Sequence, residues 1–208
     1  MRAVALALGL ATLGLVWLGP VPHLLPGPFS AHMTMHMGVV AVAAPLIALG
    51  LAGGRYDPAV RLPALFSPIP ASLVELVIVW GWHAPALHHL ARNSTGGLLV
   101  EQATFLGSGL LVWMSAVGGD ARDGGRTGAG VLALLLTSMH MTLLGALLAL
   151  PPRALYSHAH AAHGLITPLA DQHLGGAIML IVGGVAYLAG GLWLMVRFLR
   201  RARLEAAS

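Results

Sequence analysis

The chain has 208 residues, 57% of them hydrophobic and 9% charged, with a formal net charge of +4. A soluble domain carries about a quarter charged residues, so this composition excludes a water-solvated surface and makes a lipid bilayer the expected solvent. Cysteine is absent, which excludes disulfides, thiolate zinc sites and cysteine-based copper chaperoning.

The mean hydropathy is +0.82. All eleven positive residues are arginine, clustered beside apolar stretches. That pattern reads as membrane topology and not as a nucleic-acid stripe. A helix needs about 20 apolar residues to cross the hydrocarbon. In chain order, six spans are predicted over about 3–19, 31–53, 70–91, 97–117, 128–150 and 169–199. Links rich in glycine and proline separate them, such as "GPVPHLLPGPF" and "GGDARDGGRTG". The expected fold is an all-α polytopic membrane bundle forming one domain over 1–208. No small-x-small cleavage site follows the first span, so it is read as retained and not as a leader.

With a cytoplasmic N-terminus, the inner side receives nine arginines: Arg2, Arg55, Arg61, Arg122, Arg126, Arg197, Arg200, Arg201 and Arg203. Only Arg92 and Arg153 fall outside. This positive-inside bias places both termini in the cytoplasm of a plasma (inner) membrane protein. All eleven histidines then map to the outer half or its loops.

His32 and His36 open the second span with i, i+4 spacing and share one helix face. At about 1.5 Å per residue, His36 lies about 7 Å below the outer boundary, His83 about 10 Å, and His140 with Met179 about 15 Å. Glu101, Asp171 and His173 lie near the rim with His32. Buried polar groups in a bundle tend to face its interior and to be functional. His88 and His89 are expected in the headgroup zone, and "HAHAAH", 158–163, reads as a solvated loop. Met33, Met35 and Met37 read either as apolar packing or as part of a His/Met funnel, an idea repeated around His140 in "SMHMT". Glu75 stands apart, in the inner part of the third span.

Imidazole suits zinc, copper, iron and nickel, and thioethers add a preference for Cu(I). Copper therefore fits best, with His32, His36, His83 and His140 as ligands. Met33, Met37, Glu101, Asp171, His173 and Met179 are possible further ligands or supports. Haem is the rival, because two inward histidines on different helices can ligate it axially. Pro85 is expected to bend or unwind the end of the third span.

"AHMTMHM", "WGWHAP", "EQATFLGSGLLVW", "MTLLGALLALPPRALY" and "DQHLGGAIML" occur in this order across separate spans. Together they resemble the integral-membrane CtaG family of caa(3)-type cytochrome c oxidase assembly factors, over about residues 28–195. The resemblance implies a non-enzymatic factor that helps mature the copper centres of haem-copper oxidases, with oxidase subunits as partners. It implies His32, His36 and His83 as ligands, and Asp171 and Gln172 as supporting or capping residues. His173 stands where the family pattern has Gln, and members often have seven spans where six are counted here. A copper transporter and a small haem-binding electron-transfer protein are the alternatives.

Overall fold

The computed structural model describes residues 1–120, 123–156 and 166–206. It is 82% helix, with no strand among the described residues. Those residues hold ten α-helices, in order α1 Arg2–Trp17, α2 Pro28–Met37, α3 Ala44–Leu51, α4 Pro58–Arg61, α5 Pro68–His83, α6 Pro85–Asn93, α7 Thr95–Val117, α8 Gly124–Ala149, α9 Pro168–Ile178 and α10 Gly184–Ala206. A π-helical segment, Gly38–Ala43, joins α2 to α3, and a second, Met179–Gly183, joins α9 to α10.

Four continuous rods are long and apolar enough to cross a membrane: Pro28–Leu51, Thr95–Val117, Gly124–Ala149 and Pro168–Leu204. The expected third span is not straight, because α5 and α6 meet at 72° and qualify only as one bent span. The cause lies in the sequence. Pro85 opens α6, and the residue before a proline is pushed out of the helical region; Ala84 accordingly takes φ −66°, ψ 136°. The expected first span is the 16-residue α1, shorter than the other rods.

Proline also explains the first π segment. The amide of Ala44 reaches back to the Val39 carbonyl. The next carbonyl, Val40, then falls opposite Pro45, which has no N–H to give. A buried carbonyl without a partner costs about 1–3 kcal/mol, and two other helices supply the donors. Trp113 of α7 donates its indole N–H at 3.1 Å, and Tyr187 of α10 its hydroxyl at 3.2 Å. That hydroxyl's one proton is shared with Glu75 Oε1, the nearer acceptor at 2.6 Å, which draws α5 into the same buried junction.

α2 is held from outside its own sequence. Its first amides, Phe29 and Ser30, donate to the two carboxylate oxygens of Asp171 on α9, at 2.8 and 2.9 Å. Gly27 leaves the necessary room, since a Cβ there would lie 2.2 Å from Asp171 Cγ. Gly176 likewise lets α9 approach the backbone of α8, where a Cβ would meet the Ala149 nitrogen at 2.5 Å. Thr167 caps α9 through the Ala170 amide at 3.2 Å, with Pro168 at the first helical position. At the arginine-rich end, Asp57 accepts from the Gly53, Ala59 and Gly119 amides. Arg126 there donates to the Gly118, Phe66 and Ser115 carbonyls.

Candidate metal centre

Three elements converge beneath the bend. α2 carries His32 and His36, the end of α5 carries His83, and α6 carries His88. All four rings are buried. Ring centroids lie 5.2 Å apart for His36–His83, 5.7 Å for His32–His83, 6.4 Å for His32–His36 and 5.1 Å for His32–His88. Phe105 of α7 closes one side at 4.0 Å from His36. Phe29 stacks on Tyr156 at 4.7 Å, and both rings contact His88.

The ring of His83 is aimed by its own helix. Its Nδ1–H donates to the Val79 carbonyl at 2.6 Å, which leaves Nε2 as the lone-pair nitrogen. Because α5 stops at the Ala84–Pro85 break, the His83 carbonyl needs a donor from elsewhere. The Tyr156 hydroxyl supplies it at 2.6 Å. Burial pushes the Tyr156 phenol up to about 12, so it remains a donor at neutral pH. Five ring nitrogens of the chamber make no hydrogen bond: both of His32, both of His36, and Nε2 of His83. Buried polar atoms are normally satisfied, so this concentration marks the chamber as chemically unusual.

Above His32, Glu101 of α7 is fully buried. One atom each from His32, His88 and Glu101 lie within 4.8 Å of one another, close enough to share a metal ion. Glu101 also pairs with Arg92 of α6 and accepts from Gln102 Nε2 at 3.2 Å. Gln102 is tied in turn to the Trp17 indole at 2.9 Å. His32 therefore belongs to two overlapping triads, one with His36 and His83 and one with His88 and Glu101.

The remaining candidates lie elsewhere. His140 is buried on α8 with neither ring nitrogen bonded, but it shares no ring contact with the chamber among the described residues. Helices α5 and α8 run parallel, because Ser72 bonds Thr137 at 2.9 Å and Tyr156, beyond α8, reaches His83. His83 is eleven residues beyond Ser72 and His140 only three beyond Thr137. At 1.5 Å per residue, His140 sits about 12 Å nearer the arginine-rich end. Met33 and Met37 face the last rod: a Cβ on Gly175 would meet Met33 Cγ at 3.0 Å, and one on Gly183 would meet Met37 Sδ at 3.3 Å. Met179 is fully buried and opens the second π segment.

The run Asp171–Gln172–His173 works as three staples. Asp171 caps α2, Gln172 bonds the Leu155 amide and Leu148 carbonyl, and His173 Nε2 bonds the Pro151 carbonyl at 2.8 Å. His88 corrects its expected contact with solvent: it is 1% exposed and packed inside the chamber, because the bend at Ala84 brings α6 over α2. His89 is exposed. His158, His160 and His163 lie outside the described residues.

An all-helical chain with four to five candidate spans and an interior chamber lined by imidazoles defines a multi-pass membrane protein with a buried polar site. The chain belongs to the cytochrome c oxidase caa3 assembly factor family (Caa3_CtaG), whose model matches residues 1–201. No curated protein and no solved structure matches it.

Proposed function

We propose that this assembly factor holds copper as Cu(I) in the imidazole chamber and releases it to an oxidase subunit, without catalytic turnover. The chamber faces the outside of the plasma membrane, α1 serves as a sixth span, and both termini lie in the cytoplasm. The observation that carries the reading is the set of five unbonded imidazole nitrogens on His32, His36 and His83. A metal–imidazole bond of about 2 Å puts an ion ~3.1 Å from each ring centroid, so two ligands at roughly 110–120° have centroids about 5.1–5.4 Å apart. The three separations here are 5.2, 5.7 and 6.4 Å, two near that range and one wider.

Each residue has a part. Val79 fixes the His83 tautomer and points Nε2 inward, while His36 brings a second ring to within 5.2 Å of it. His32 links the inner triad to the outer one, where His88 and Glu101 admit the ion from the rim. Imidazoles without thiolates suit copper in an oxidising compartment.

The test is elemental analysis of protein purified in mild detergent, beside His36→Ala and His83→Ala variants, with oxidase copper content measured in a deletion strain complemented by each. The reading expects about one copper per chain in the parent, loss in both variants, and copper-poor oxidase in the cells. Equal metal in all three samples overturns it, and a Soret band in the parent assigns the chamber to haem.

A further inference from the structure

At the arginine-rich end, far from the chamber, a cavity of about 180 Å³ opens between α7, α8 and α10. Among the described residues Arg126, Arg197 and Arg201 line it, with Asp120 as the one acid. A second, apolar groove of about 450 Å³ runs beside α3, α7 and α10, lined by Pro45, Leu46, Leu49, Trp113, Ala189 and Trp193 among others. The two adjoin. Val117 lines both, and the α10 stripe in the groove, Ala186, Gly190 and Trp193, passes at helical spacing into the stripe in the cavity, Leu194, Arg197 and Arg201. Arg197 crosses the junction, its guanidinium 4.7 Å above the Trp193 ring.

We propose that cavity and groove together form a binding site for one anionic phospholipid, its phosphate among the arginines and an acyl chain along the groove. Three arginines against one carboxylate select an anion, and basic pockets between membrane helices hold acidic headgroups in this way. A neutral lipid gains nothing from the cavity, and a free phosphate gains nothing from the groove. Arg126 is already fixed by three backbone carbonyls, so its charge is set in place before a ligand arrives.

The experiment is native mass spectrometry of the delipidated full chain in detergent, titrated with phosphatidylglycerol, phosphatidylcholine or glycerol 3-phosphate. Phosphatidylglycerol is expected to bind at least about tenfold more tightly than phosphatidylcholine. An Arg197→Gln/Arg201→Gln pair should erase that preference. Ala189→Phe, which fills the groove at an exposed position and removes no charge, should weaken both lipids. Arg200→Gln, outside the lining, should change nothing. Circular dichroism verifies that each variant is folded. Equal binding of the two lipids, glycerol 3-phosphate matching phosphatidylglycerol, or Arg200→Gln acting as strongly as the pair overturns the proposal. So does a dimer of the chain that phosphatidylglycerol dissociates, which would assign the groove to a second copy.

Discussion

Substituting Asp171 by Ala removes a helix cap supplied across the fold, and the loss can be worked out. The carboxylate accepts the Phe29 amide at 2.8 Å and the Ser30 amide at 2.9 Å, and Asp171 is 4% exposed. A hydrogen bond to a charged group contributes about 1.5–3 kcal/mol, and an anion at a helix N-terminus adds a further 0.3–1 kcal/mol or so. Water reaching the freed amides recovers part of this, so the expected net loss is about 3 kcal/mol, on the order of a hundredfold in the unfolding equilibrium. Asp171→Asn keeps one acceptor oxygen and should lose about half as much. Gly27→Ala should resemble the Ala variant, because the new Cβ would overlap the carboxylate. Stability is read from denaturant titration in detergent micelles, and chamber integrity from metal retention, since α2 carries His32 and His36. An Asp171→Ala protein within about 0.5 kcal/mol of the parent refutes the assignment, that being the ordinary scatter of surface substitutions.

Three further outcomes follow from the same geometry. Trp113→Phe removes one of two donors from the Val40 carbonyl and should cost about 0.5–1.5 kcal/mol; with Pro45→Ala, which restores an N–H opposite that carbonyl, the cost should fall by at least about 0.5 kcal/mol in a double-mutant cycle. Arg92→Gln frees Glu101 and removes a cation from beside the outer triad, so Zn²⁺, a redox-silent probe, should bind roughly tenfold more tightly, whereas Glu101→Gln should abolish that gain in calorimetry. Tyr156→Phe leaves the His83 carbonyl without its hydroxyl donor and should lower the melting temperature by an amount equivalent to about 1–2 kcal/mol while leaving metal stoichiometry unchanged; loss of metal along with stability would refute a purely supporting role for the phenol.

The apolar runs and breakers located the long rods to within a few residues, because each boundary carries its own chemistry: Thr167 with Pro168, Ser94 before α7, Asp123 before α8. The bend at Pro85 was legible for the same reason. Its consequence was not. A 72° turn brings His88 back over His32, and residue spacing along a straight span cannot express that. Pro85 three residues before His88 was the available signal. Depth counted inward from span ends does not give the register of His140 against His83, which the pairing of Ser72 with Thr137 sets. His173 was offered as a possible ligand or support, and which partner its ring meets depends on neighbours across the fold, here the Pro151 carbonyl for Nε2. Neither π segment was anticipated, although Pro45 held the reason for the first.

That proline has a wider effect on how the lower bundle can vary. The oxygen it leaves without a local donor is where α7 and α10 attach, so three rods are indexed to one another at a single atom and not along a seam. A relative with an amide-bearing residue at position 45 would leave that oxygen one further acceptor site, enough for the indole or the phenol but not both. Positions 45, 113 and 187 should therefore change as a set in evolution, and exchanging one alone should leave the rods free to slide.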